Sequence, residues 1–260
     1  MTLRILAGLV FAIVVSAVAR RTRALSTSGA LAAGVVGALA TMAGWNWAAL
    51  LIVYFVVAAG LSRHGEAKKE ARTSTVVAKA GPRDARQVLA NGGPFALAAV
   101  GAIIAPHPAW AALACGSLAA SASDTWSTEI GTLRGSEPRS LVTWRRVPPG
   151  TSGGVTMAGT LAGVAGALFT AIVCLVLGWP RPLAIAVLVG GVAGGLFDSL
   201  LGGTAQARRW CGACEAPTER ELHSCGANTR IVGGIPWLDN DAVNLAATLA
   251  GGLLTVALAR

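Results

Sequence analysis

The sequence predicts an all-α polytopic membrane protein, a single transmembrane domain over 1–260 with about eight transmembrane helices. Three observations predict it. Hydrophobic residues fill 54% of the 260 positions and charged residues only 13%, with a mean hydropathy of +0.62, whereas a soluble domain carries about a quarter charged residues. The apolar residues gather into segments approaching the ~20 residues that cross a hydrocarbon core. Lys and Arg avoid those segments and collect in alternate loops.

Taken in order, the segments are 3–19, 28–43, 45–61, 88–104, 108–122, 152–177, 183–201 and 242–259. The first lacks a basic leader followed by a small-residue cleavage site, so it reads as a retained helix rather than a signal peptide. The second and third form one apolar block broken only by Gly44-Trp45-Asn46-Trp47, and the fourth and fifth meet at Pro106-His107-Pro108; each pair reads as a tight hairpin. Eighteen of the 21 basic residues, from Arg20 to Arg230, fall on one face of this arrangement, with only Arg4, Arg181 and Arg260 opposite. Basic loops mark the cytoplasmic side. That places both termini outside, the charged face in the cytoplasm, and the chain in a bacterial-type inner membrane. The net charge of +9 follows from these loops, so nucleic acid is not an expected partner and the lipid bilayer is.

An internal echo suggests two parallel four-helix repeats, 1–107 and 108–260. Ser26-Thr-Ser-Gly29 is followed by Ala33-Gly-Val-Val-Gly-Ala-Leu39, and Gly150-Thr-Ser-Gly-Gly154 by Ala162-Gly-Val-Ala-Gly-Ala-Leu168. The copies lie four segments apart and enter the membrane from the same side. Close packing of small residues between membrane helices produces similar strings without duplication.

Acidic residues at bilayer depth are costly and mark cavities or cation sites. Segment five runs directly into Ser121-Ala-Ser-Asp-Thr-Trp-Ser-Thr-Glu-Ile-Gly131, where Ser117, Ser121, Asp124, Thr125, Thr128, Glu129 and Thr132 share a helical stripe roughly 140° wide. The stripe is either the polar face of a helix leaving the membrane or a wall of oxygen ligands suited to Mg²⁺. Asp198 sits in Gly194-Gly-Leu-Phe-Asp-Ser-Leu-Leu-Gly-Gly203, and Asp239-Asn240-Asp241 with Asn244 opens segment eight. Asp239 also suits a helix N-cap. The catalytic and Mg²⁺-binding candidates are therefore Asp124, Glu129, Asp198 and Asp241. Candidates for phosphate or substrate are Lys68, Arg83, Arg86, Asn91, Asn240 and Asn244, joined by Thr151, Ser152 and Gly153, whose loop would present N–H groups at a helix start. Loop cations also serve topology and anionic lipid.

The last cytoplasmic loop, 204–240, contains Cys211-Gly-Ala-Cys214 and His223-Ser-Cys225. Three thiols and an imidazole make a tetrahedral Zn²⁺ set; a cytosolic dithiol or unrelated thiols are the other readings, and a stable disulfide is disfavoured on a reducing face.

Ser123-Asp-Thr-Trp-Ser-Thr-Glu-Ile-Gly131, Gln87-Val-Leu-Ala-Asn-Gly92, Gly150-Thr-Ser-Gly-Gly-Val155, Phe197-Asp-Ser-Leu-Leu-Gly202 and Trp237-Leu-Asp-Asn-Asp241, in this order, resemble the polytopic family that contains transmembrane protein 19 and the plant and cyanobacterial phytyl-phosphate kinases. The resemblance implies transfer of a phosphoryl group from a nucleoside triphosphate, CTP or ATP, to an isoprenoid monophosphate such as phytyl phosphate, giving the diphosphate. The chain is also distantly similar to polyprenol kinases and membrane cytidylyltransferases. The alternatives to a kinase are a CTP-dependent cytidylyltransferase and a lipid-phosphate or ion transporter. No strong base is demanded, because an acceptor phosphate is already ionised and transfer depends on alignment and charge neutralisation.

Overall fold

A computed structural model describes residues 2–79 and 81–259. The chain is mostly helical: α1 (Thr2–Arg21), α2 (Thr27–Ala43), α3 (Trp45–Arg63), α4 (Glu66–Thr73), α5 (Ala85–Ile104), α6 (Pro108–Arg134), α7 (Met157–Val176), α8 (Arg181–Thr204) and α9 (Asn240–Leu258). Among the described residues five of these, α3, α5, α7, α8 and α9, are long and apolar enough to cross a membrane, and α2 is apolar but only 17 residues long. Of the other expected spans, α2 is short, the second half of α6 carries the polar stripe, and several side chains of α1 lie outside the described residues. Arg260 lies outside the described residues, as does the side chain of Arg4.

The expectation of a purely helical chain is corrected by five short strands. β1 (Arg139–Ser140) pairs antiparallel with β2 (Gly154–Val155). β3 (Arg208–Cys211) pairs antiparallel with β4 (Ala216–Thr218) and β5 (Arg230–Gly233), in the order β4-β3-β5. Both sheets lie in long loops, where backbone N–H and C=O groups find partners by pairing. The short helix α4 was likewise not anticipated.

Helix starts follow capping chemistry more closely than hydropathy. Asp84 begins α5 with a capping box: it accepts from Gln87 N at 2.9 Å, while Gln87 Oε1 accepts from Asp84 N at 3.0 Å. Asp239 is an N-cap, accepting from Ala242 N at 3.0 Å. Thr156 caps α7 by accepting from Gly159 N at 3.0 Å, so that helix starts at 157 and not at 152. Each cap satisfies an N–H that a helix leaves orphaned in its first turn.

Helix α6 is the hub, packing on α5, α7, α8 and α9, and in the first half α2 packs on α1, α3 and α5. Small residues allow these contacts. A Cβ on Gly116 or Gly190 would strike Thr255 Oγ1, and one on Gly191 would meet the methyls of Ala119 and Ala167. Side chains that face outward, such as Leu31, Leu97, Ile104, Val176 and Ile185, are large, apolar and exposed, as lipid contact requires. Pro94 lies inside α5 and has no N–H for the carbonyl of Ala90. Thr248 Oγ1 of α9 stands 3.0 Å from that carbonyl, so the neighbouring helix supplies a donor where water is excluded.

All long connections, 22–26, 64–84, 135–156 and 205–239, join helices at one end of the bundle; at the other end Gly44, 105–107 and 177–180 suffice. Gly195 governs how that charged end closes. A Cβ there would collide with the Ser123 side chain and reach 3.5 Å from Asp124 N. Gly195→Leu is expected to lose about 1–3 kcal/mol by overpacking, read as a lower melting temperature in detergent. Gly60→Ala, whose new methyl meets nothing within 4 Å, should be neutral or slightly stabilising.

Candidate functional site

A cavity of about 1070 Å³ occupies the end of the bundle that carries the long loops. Its walls come from α3, α4, α5, α6, α7, α8 and the start of α9, with 150–156 and Glu219 added from the two strand-bearing loops. Asp124, Glu129, Asp198, Asp241, Arg83, Asn91, Thr151, Ser152, Gly153, Asn240 and Asn244 all line it. Arg86 stands at its edge, donating from Nη2 to Asp239 Oδ2 at 2.8 Å with Nε 3.8 Å from Asp241. Lys68 is exposed and does not face the cavity, whereas Lys69, about 100° further round α4, does and is 8% exposed.

The four acids fall into two kinds. Asp124 and Asp198 interact carboxyl to carboxyl, and Asp198 also feels the charge of Glu219. Asp124 has Thr128, Arg83 and Glu129 as its further neighbours. The approach depends on glycine, because α8 touches α6 through Gly194 against Ala120 and Gly195 against Ser123, which leaves Asp198, one turn later, beside Asp124. Asp198 Oδ2 is buried and has no hydrogen-bond partner, and buried Thr151 Oγ1 in the same cavity has none either. An unpaired buried carboxylate oxygen is costly, and a second carboxylate beside it raises the cost.

Glu129 and Asp241, by contrast, have cations of their own. Lys69 Nζ pairs with Glu129 and also donates to Leu61 O at 2.8 Å and Ser62 O at 2.7 Å. Ser62 Oγ donates to Glu129 Oε1 at 2.6 Å. The lysine therefore uses its three donors to cap the last carbonyls of α3 and to tie α4 to α6. Lys79 Nζ lies 2.6 Å from Asp241 and 2.9 Å from Asp84. Burial alone would lower the Lys79 ammonium, but these two carboxylates more than offset it and hold it above its ordinary value. Asn91 is also engaged: Ser121 Oγ donates to its Oδ1 at 2.6 Å, and Tyr54 OH lies 2.6 Å from the same serine.

The Gly150–Gly154 loop differs from the anion-binding helix start expected of it. Thr151 N donates to Pro148 O and Gly154 N to Thr151 O, and both the N–H and hydroxyl of Ser152 donate to Glu219. The loop's N–H groups serve a tight turn and a carboxylate. Gly153, at φ 74, is demanded by packing as well as conformation, because a Cβ there would run into Ser199 O and the backbone of Gly203. Burial pushes the Glu219 carboxyl up, against the pull of its Ser152 hydrogen bonds. Sequence reasoning gave Glu219 no role and left Lys69 among the general loop cations. The first lies beyond a cysteine pair in a loop, and the second depends on the rotation of an eight-residue helix.

A second, apolar groove runs between α1, α2, α3 and α5, with Val15, Val36, Leu51 and Ile52 on its walls. Phe55, Arg83, Gln87 and Asn91 line both this groove and the polar cavity. The apolar groove and the polar cavity thus share a wall at Arg83.

Away from the cavity, the ligating atoms of Cys211, Cys214, His223 and Cys225 lie within 4.8 Å of one another. The hydrogen bond with His223 brings the Cys225 thiol down to about 6, and contact with Cys225 pushes Cys214 up to about 11.

Comparison with known proteins places this architecture. The chain is 31% identical to Protein PGR of Arabidopsis thaliana, over 95% of this chain and 94% of that protein. It is also 31% identical to an uncharacterized membrane protein of Methanocaldococcus jannaschii, over 98% and 94% of the two chains. Protein VTE6, chloroplastic, of Arabidopsis thaliana is 28% identical over 89% of this chain and 64% of its own length. No solved structure matches. The model of the integral membrane protein DUF92 family matches residues 10–252, and with relatives aligned over nearly the whole length the chain belongs to that family.

Proposed function

We propose that this protein is a membrane phosphotransferase that moves a phosphoryl group from CTP or ATP onto an isoprenoid monophosphate, producing the diphosphate. The observation that carries the reading is the unpartnered Asp198 Oδ2 beside the Asp124 carboxyl, in a polar cavity that shares its Arg83 wall with an apolar groove. Two oxygen ligands at a helix–helix contact fit Mg²⁺, which prefers one or two carboxylates plus substrate phosphates. The resemblance to phytyl-phosphate kinases points the same way.

In this reading eight helices span the bilayer, the basic loops are cytoplasmic, and both termini lie outside. The nucleotide enters from the cytoplasm, and the prenyl tail lies along Val36, Leu51 and Ile52 with its phosphate at Arg83. Asp124 and Asp198 would hold Mg²⁺, which supplies charge neutralisation across the donor and acceptor phosphates. Arg83 offsets charge on the acceptor, and Lys69 and Lys79 keep the chamber from being wholly acidic. An acceptor phosphate oxygen forms the new P–O bond as the bond to the nucleoside diphosphate breaks. No proton need be removed, consistent with the absence of His from the cavity lining among the described residues.

The test is purified protein in detergent with phytyl or geranylgeranyl phosphate, labelled CTP or ATP, and Mg²⁺. A lipid diphosphate and a nucleoside diphosphate are expected. CDP-lipid with pyrophosphate would instead identify a cytidylyltransferase, and uptake into vesicles without chemistry a transporter. No diphosphate from any pairing, with Asp124→Asn behaving as wild type in cells, overturns the reading.

Asp124→Asn and Asp198→Asn should each lower kcat/KM by roughly 10²-fold or more without lowering the melting temperature. Glu129→Gln should show the opposite balance, costing roughly 1–3 kcal/mol of stability by leaving Lys69 underpaired, with a smaller effect on turnover. Leu51→Trp should obstruct the groove and raise KM for the prenyl phosphate about tenfold, while KM for the nucleotide is unchanged.

A further inference from the structure

We infer that Cys211, Cys214, His223 and Cys225 bind one Zn²⁺ in a closed tetrahedral site that staples residues 205–239 and thereby holds Glu219 against the Ser152 loop. The geometry is close to that of a loaded site. Cys211 Sγ and Cys225 Sγ are 3.7 Å apart, and His223 Nδ1 is 3.2 Å from Cys225 Sγ. With Zn–S near 2.3 Å and Zn–N near 2.0 Å, tetrahedral edges are about 3.8 Å between sulfurs and about 3.5 Å between sulfur and nitrogen. All three cysteines are free thiols, and a disulfide would require about 2.05 Å.

The ligands come from two tight turns, as in many structural zinc sites. Cys211-Gly-Ala-Cys214 joins β3 to β4, and His223-Ser-Cys225 is closed by Gly226 N donating to His223 O at 2.9 Å. His223 is 5% exposed, yet its Nε2 has no partner and its Nδ1 meets only a sulfur. Nothing in the protein's own hydrogen bonding accounts for burying this imidazole.

The segment also buries little apolar surface of its own. Its buried side chains are Gln206, Cys211, Thr218, His223 and Leu238, while Leu222, Ile231, Val232, Ile235 and Trp237 are exposed. A three-stranded sheet of this size has no hydrophobic core, and units below about 40 residues usually need a metal or disulfides. Zn²⁺ binding releases the thiol protons and leaves three thiolates and a neutral imidazole around the ion, with no change of oxidation state.

What the staple fixes is visible at β4. Thr218 Oγ1 donates to Thr75 O at 2.8 Å, Glu219 N to Val76 O at 2.9 Å and an Arg220 guanidinium N–H to Ser74 O at 2.7 Å. Glu219 in turn receives Ser152 N at 3.2 Å. The metal site thus lies outside the cavity but supports one wall of it.

The experiment is metal analysis of the full-length protein purified in detergent under reducing conditions. About one zinc per chain is expected, and titration of metal-stripped protein with Co²⁺ should give the intense visible bands and sulfur-to-metal charge transfer of a tetrahedral thiolate site. Cys214 is exposed, so Cys214→Ser should leave the helical bundle folded, checked by its gel-filtration profile, while bound zinc falls at least fivefold. Cleavage by protease within 205–239 should rise in parallel. Full zinc retention in both Cys214→Ser and Cys225→Ser, a wild-type protein that takes up neither ion, or an intact mass showing a cysteine pair oxidised under these conditions overturns the inference. These readouts need no phosphoryl transfer, so loss of the phosphotransferase reading would leave them standing.

Discussion

Two carboxyl groups on different helices, Asp124 and Asp198, are held together where water is scarce, and much of the molecule follows from that constraint. Two carboxyls this close in low dielectric either share a proton or need a nearby cation, so the pair is held together by the fold. The forcing comes from α6 and α8, which approach closely because Gly194 and Gly195 present only backbone to the Ala120 and Ser123 side chains. The protein's own compensation is Arg83, which reaches Asp124 from the start of α5. Asp198 keeps a buried oxygen with no hydrogen-bond donor beside it, and under the proposed function that oxygen is where a cation would bind.

The remaining acids show how the protein avoids extending the problem. Glu129 and Asp241 each receive a lysine from the 64–84 connection, Lys69 and Lys79. That connection looks in sequence like an ordinary basic loop. In the fold it caps α3, anchors α6 and meets the start of α9. The chamber is therefore assembled from helices that supply carboxylates and loops that supply cations, and neither set is stable at that depth without the other.

The acids were legible in the sequence because a carboxylate at a hydrophobic boundary has few inexpensive explanations, and Asp124, Glu129, Asp198 and Asp241 do line one cavity. The helix starts were legible only in part. Asp239 suits a cap by type and is one, but the capping box at Asp84 and the Thr156 cap moved two helix starts away from where hydropathy put them. The glycine loop misled because its requirement is tertiary: Gly153 is small in order to pass Gly203, a contact fifty residues away with no local signature. Lys69 was hidden by phase. In a stretch as polar as Glu66–Thr73, hydropathy does not say which lysine faces inward, and only docking against Leu61 and Ser62 decides it.

The unequal ends of the bundle carry a further consequence. The floor beneath the chamber is closed by Leu118, Ala119, Cys115 and Cys174, all essentially inaccessible, and the helices at the far end are joined by links too short to open a path. The long connections that line the chamber therefore lie at one end of the bundle, with buried small and apolar side chains filling the helix contacts. Under the proposed function, this arrangement would alter the charge of a lipid headgroup while leaving the molecule in its original leaflet, so that the asymmetry of the bilayer would survive each turnover.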